Sequence, residues 1–238
     1  MSGLIEPFAS DALPEVPLPR SPLAEVLIQV RFPTLASIGR QDFIASFQEA
    51  VRGEYPLLSE ERQFGFVFGP QGLSASPQAE GSVLWRLTDL AKVWRLTLGP
   101  NFLALETKQY SNRAEFLERA RTAVAACEKH IRPNFYDRVG LRYINRITDG
   151  EWLANLPELV RPEVLGPFGH ATGVGPVTGL KGQIVAEYQV GSDVLLVRSA
   201  QLPPGETHDP VLEPASAPCW LLDLDMSTTP KIPLAFET

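Results

Sequence analysis

The tetrapeptide Trp-Arg-Leu-Thr occurs at residues 85–88 and again at 94–97, flanking Asp89-Leu90-Ala91-Lys92. A repeat this close, with bulky apolar and charged residues alternating, predicts two antiparallel strands joined by a tight turn. With Leu90-Ala91 as the loop, Asp89 faces Lys92, Leu87 faces Trp94, Trp85 faces Leu96 and Arg86 faces Arg95. Gly99-Pro100-Asn101 supplies the next turn, which sets Leu98 opposite Leu103 and Arg95 opposite Glu106. One face of this sheet then carries Trp85, Leu87, Trp94, Leu96, Leu98, Leu103 and Leu105, and the other carries Arg86, Arg95 and Glu106. The fold must bury the first face and can leave the second to water.

The remaining chain reads as strands with interspersed helices. Residues 1–21 are a Pro-rich arm expected to be mobile. Residues 22–32 alternate as a half-buried strand, with Val26, Ile28, Val30 and Phe32 on one side and Glu25, Gln29 and Arg31 on the other. An amphipathic helix spans about 40–52, and a short strand is expected at 63–68. A second helix runs over about 112–130, with Asn112 and Glu115 at its start and an apolar stripe of Phe116, Leu117, Ala120, Val124, Cys127 and Ile131. The order then restarts. Residues 138–147 form a strand with Val139, Leu141, Tyr143 and Ile147 opposite Arg138, Arg142 and Arg146, followed by a short helix at 151–160. After a Gly/Pro-rich stretch (162–182) come a hairpin about Gly191-Ser192, a Pro-rich loop (202–218) and a last strand (219–226). Trp220, Leu222 and Leu224 lie on one side of that strand, Asp223 and Asp225 on the other. The expected fold is α+β: a twisted, mostly antiparallel sheet from two similar halves, 22–132 and 133–238, with helices packed on one face.

Charge and cysteine content narrow the function classes. The chain has 21 Lys+Arg against 28 Asp+Glu in 238 residues, a net charge of −7, which argues against a general nucleic-acid binder. Two cysteines, Cys127 and Cys219, rule out a disulfide framework and a multi-thiolate metal site, and both fit a structural role. The beginning of the chain lacks a basic segment followed by an apolar one, and no apolar run approaches a membrane span, so a cytoplasmic protein is expected.

The stretches PLAEVLIQVRF, LGPNFLALETKQYSNRAEFLERA, RVGLRYINRI and WLLDLDM together resemble a sporadically distributed family of uncharacterised prokaryotic proteins, across residues 18–228. That resemblance implies the fold and no catalytic residue, because the family has no established activity. Its members usually continue past the last strand into a further helix, whereas this chain stops at Thr238. The expectation is a second half without its final helix, in which the arm, the residues after Met226 or another chain covers Trp220, Leu222 and Leu224. The element order is also similar to the duplicated fold of the TATA-box-binding protein, an analogy that transfers no function.

Residue chemistry leaves one candidate surface. His130, His170 and His208 lack metal-site spacing, and no cofactor motif is present. Residues 173–181 are Gly-rich but fail the phosphate-loop pattern. The polar sheet face carries Arg31, Arg86, Arg95, Arg138, Arg142, Arg146 and Arg198 against Glu25, Glu106, Glu187, Asp223 and Asp225. Arg138, Arg142 and Arg146 recur at every fourth residue of one strand, about 13 Å apart, a row of like charges on one face that acids or an anion should meet. At least one of Arg142 and Arg146 should therefore lack a protein carboxylate. Arg86, Arg95, Arg138, Arg142 and Arg146 are thus the expected ligand contacts of a non-catalytic module for a protein partner or small anionic ligand. A nucleic-acid binder using the same face is the alternative, and a metal-dependent hydrolase built on Asp223 and Asp225 is a third.

Overall fold

The computed structural model describes residues 20–63, 66–69, 72–75, 82–166, 181–209, 212–229 and 234–235. The first half contains β1 (Leu23–Arg31), a 3-10 turn (Ala36–Gly39), α1 (Gln41–Val51), β2 (Leu57–Gln63), β3 (Phe66–Gly69), β4 (Gly72–Ala75), β5 (Ser82–Thr88), β6 (Trp94–Gly99), β7 (Phe102–Thr107) and α2 (Arg113–His130). The second contains β8 (Phe135–Tyr136), β9 (Arg138–Ile147), α3 (Gly150–Ala154), α4 (Leu156–Leu159), α5 (Pro162–Leu165), β10 (Gly182–Val190), β11 (Asp193–Leu202), β12 (Cys219–Thr228) and β13 (Leu234–Ala235). The arm up to position 19, most of the Gly/Pro-rich stretch and His170 lie outside the described residues.

Nine strands form one open antiparallel sheet in the order β10-β11-β12-β9-β1-β7-β6-β5-β2, so the fold is α+β as expected. β1 and β9 lie side by side at the centre. In each half a meander starts at the sheet edge and returns its last strand, β7 or β12, beside that half's first strand. Among the described residues the second half follows the same path with one strand fewer. The strand expected at 63–68 meets β3 at 66–69, which pairs with β4 in a separate hairpin, while the strand that joins the large sheet is β2 at 57–63. The charged run Glu60-Glu61-Arg62 hid β2, because an edge strand need not alternate where solvent reaches it.

The β5–β6 hairpin keeps its expected faces but not its register. Trp85 pairs with Leu98, Arg86 with Thr97, Leu87 with Leu96 and Thr88 with Arg95, two residues from the expected partners. A two-residue loop of the favoured kind needs positive φ at its centre, and Leu90-Ala91 supplies neither Gly nor Asn. The chain instead makes a longer loop with Lys92 at φ 57°, in which Asp89 Oδ1 accepts from Val93 N (2.8 Å) and Trp94 N (3.0 Å). A shift of two leaves every side chain on its own face. The β6–β7 register is as expected, with Leu98 opposite Leu103 and Arg95 opposite Glu106.

Helices cover one face. Trp85 and Trp94 are buried there with Val26, Val30, Phe47, Leu96 and Phe116. Trp85 Nε1 donates to the Ile38 carbonyl at 2.6 Å. Trp94 lies 6.0 Å from the Phe116 ring, and the Arg119 guanidinium sits 4.5 Å over its indole. α2 begins where Asn112 Oδ1 accepts from Glu115 N at 2.9 Å. In the second half, Trp220 and Ile147 are buried against Leu156 and Leu165, and Leu222 packs on the same cluster. Among the described residues, α3, α4 and α5, the connection between β9 and β10, cover Trp220 and Leu222; the arm and most of the tail lie outside them.

The opposite face departs from the one-sided sheet. The loop at 203–218 crosses its second half as a strap, and Leu212 and Ala215 bury Ile144, Ala200, Leu202 and Leu221 beneath it. Strands buried on both sides lose simple alternation, which is why Trp220-Leu221-Leu222 is continuously apolar.

Trp94→Ala removes an indole with 6% exposure and the ring stack on Phe116. It should cost about 3–5 kcal/mol in equilibrium urea unfolding. An unchanged midpoint would contradict this packing.

Candidate functional site

A buried charge cluster holds the strap to the sheet. Arg142, from the central strand β9, donates through Nε to Asp223 Oδ1 (2.8 Å) and through Nη2 to Asp223 Oδ2 and Asp209 Oδ2 (both 2.7 Å). Arg198 from β11 reaches Asp223 Oδ2 at 2.8 Å, and His208 Nε2 lies 3.1 Å from the same oxygen. Asp223 has no solvent exposure. Burial alone would raise its carboxyl, but the hydrogen bonds from Arg142, His208 and Arg198 together outweigh burial and hold it well below the ordinary range. Two further contacts pin the strap: Arg146 Nη1 donates to the Glu213 carbonyl (2.7 Å), and Lys108 pairs with the Glu213 carboxylate (3.3 Å).

Beside the strap, the first half of this face and the central strands enclose a hollow of about 570 Å³. Leu27, Leu84, Phe102 and Ala104 contribute its apolar surface, and Arg86, Arg95, Lys108, Arg138 and Arg142 its cations. Two glycines admit large side chains. The Phe102 ring lies over Gly99, where any Cβ would overlap it. The Arg138 guanidinium lies across Gly140, 3.2 Å from where a Cβ would stand. Acids meet these cations in part. Arg95 pairs with Glu106, and Arg138 stands 3.9 Å from Asp225. Arg86 comes within 2.7 Å of Glu61 without the alignment of a hydrogen bond. The Nε–H of Arg95 is buried without an acceptor among the described residues.

One acid expected on this face, Glu25, is buried rather than solvated. A bulge between Leu23 and Glu25 sends Ala24 into the core under the strap. Glu25 follows onto the same face, with 1% exposure and neither carboxyl oxygen hydrogen-bonded. Burial, then the charge of Glu106, push its carboxyl up to about 7. Glu106 is itself raised, because burial outweighs the attraction of Arg95.

Four of the five expected contact arginines, Arg86, Arg95, Arg138 and Arg142, line the one hollow, and Arg146 lies apart beneath the strap. Arg142 is bound to two carboxylates, whereas Arg146 meets a backbone carbonyl and no carboxylate within 4 Å among the described residues. Glu61, Asp209 and Glu213 are partners that a census of strand positions did not include. Asp223 and Asp225 share a face, but the oxygens of Asp223 are already taken by two arginines and His208. No group of three metal-ligating side chains occurs among the described residues. The Gly-rich run lies outside them up to position 180. Cys127 and Cys219 are buried free thiols, and burial pushes Cys127 up to about 12, away from nucleophilic use. No described helix is long and apolar enough to cross a membrane. Neither protein-family models nor curated proteins give a match to this chain.

Asp223→Asn leaves Arg142 and Arg198 without their buried counter-charge. At pH 7 it should cost about 3–5 kcal/mol. Because the native carboxyl is depressed below its ordinary 3.8, the wild-type contribution is present above about pH 4 and is lost as pH falls below it. Urea unfolding from pH 7 to 2 should show the variant losing less stability in acid than the wild type. Parallel profiles would remove Asp223 from this role.

Proposed function

We propose that the protein is a non-catalytic binding module whose polar-face hollow takes a small organic anion. The observation that carries this reading is a hollow that sets Leu27 and Phe102 among arginines, one of which, Arg95, has a buried Nε–H without an acceptor among the described residues. The apolar body of a ligand would lie on Leu27 and Phe102, and its carboxylate or phosphate would pair with Arg86, Arg95 and Arg138. A volume of about 570 Å³ suits a metabolite-sized ligand rather than a flat protein epitope. The lining includes Glu61, Glu106, Glu213 and Asp225, so it is not a uniformly basic track, and the strap covers Arg146. Both facts weigh against nucleic acid as the occupant. The saturated partners of Asp223 weigh against the hydrolase. A cytoplasmic setting fits the two free thiols.

Benzoate, an apolar ring with one carboxylate, is a fitting probe and sulfate the control without an apolar body. Calorimetry should detect benzoate in preference to sulfate. Arg138→Ala should weaken benzoate by about 10–100-fold, the value of a hydrogen bond to a charged group. It should shift stability by no more than about 1 kcal/mol, since Arg138 is partly exposed and loosely paired. Equal benzoate affinity in wild type and variant would dismiss Arg138 as a contact.

A further inference from the structure

Glu25 is a buried acid whose environment opposes its own charge. Strand alternation with Leu27 and Gln29 places it on the strap face, paired in register with Ile144, which has no exposure. No donor among the described residues meets either oxygen. Glu25 is not in the lining of the hollow, but Leu27, two residues along the strand, is. Charged groups act on it from each neighbouring element: Glu106 and Lys108 at the end of β7, Arg95 on β6 and Arg142 on β9. Beyond these, Asp223 on β12 and Asp209 in the strap are bound to Arg142, and Glu213 in the strap is bound to Lys108. His208 faces Asp223 in the same layer. The three cations that attract an ionised Glu25 all line the hollow.

We propose that Glu25, on losing its proton, becomes an internal anion that competes with a bound organic anion for Arg95, Lys108 and Arg142, so that binding in the hollow is coupled to proton uptake. This inference rests on the organic-anion reading of the hollow. The protonated carboxyl leaves the positive potential of the three cations to the ligand, and the ionised one spends that potential within the protein. Linkage runs both ways: a bound anion must raise the pH at which Glu25 ionises. With Glu25 titrating near 7, affinity falls as pH rises through neutrality.

Benzoate keeps a constant charge between pH 6 and 8, so any change in its affinity there belongs to the protein. Calorimetry on the wild type should show binding about tenfold weaker at pH 8 than at pH 6. Glu25→Gln, nearly the same shape and fixed neutral, should bind equally at both. Carbon NMR of the Glu25 carboxyl in the wild type should show its titration midpoint moving upward with benzoate, a measurement that needs no variant to fold. Equal affinity at both pH values with an unmoved midpoint overturns the coupling alone. A pH dependence that persists in Glu25→Gln assigns it to another group, His208 included, and also overturns the coupling. Absence of benzoate binding at either pH overturns the organic-anion reading and the coupling with it.

Discussion

Asp223 ties the strap to three neighbouring strands of the sheet. Its two oxygens receive Arg142 from β9, Arg198 from β11 and His208 from the strap, at a point without solvent. Such a carboxylate is tolerated only when its hydrogen bonding is complete, and removing one member exposes the others to the full desolvation penalty. The strap is therefore positioned by charge as well as by Leu212 and Ala215 beneath it. Its placement decides how much of the sheet face remains open.

The two sides of the sheet are finished by different means. On one side, helices bury large aromatic and aliphatic residues in an apolar layer. On the other, a loop with few apolar anchors covers the second half and stops short of β5 and β6. The hollow is what remains between the edge of the strap and the rows of β1, β7, β6 and β5. Its apolar residues come from strand positions next to the arginines, so neither helix packing nor solvation alone explains their combination.

Local rules made much of this legible. The Trp-Arg-Leu-Thr repeat located β5 and β6, the turn at Gly99-Pro100-Asn101 gave the β6–β7 register, and Gly191-Ser192 gave the β10–β11 hairpin. Asn112 and Glu115 marked the start of α2. The exact β5–β6 loop escaped because Asp89 bonds two amides that a two-residue turn does not present. The strap escaped because nothing in a Pro-rich loop announces which face it will cross; Asp209 and Glu213 find Arg142 and Lys108 only in three dimensions. Glu25 read as a solvated strand position, since alternation gives its face and not its burial there. Arg86, Arg95, Arg138 and Arg142 could be placed on one face by parity alone, but their shared hollow depended on Phe102 over Gly99 and on the strap's edge.

The two rims of the sheet are unlike. β2 presents Glu60, Glu61 and Arg62, whereas β10 has no Pro or Lys, a single acid at Glu187, and exposed Val185 and Tyr188. Strand-by-strand growth into a filament would require both rims, each β10 docking on the next molecule's β2. The charges on β2 oppose that arrangement. Pairing of β10 with another β10 instead consumes the permissive rim of both molecules and ends there. Among the described residues, the difference between the rims thus makes head-to-tail growth through the sheet less favourable than pairing of one β10 with another, a closed two-fold contact in place of an open polymer.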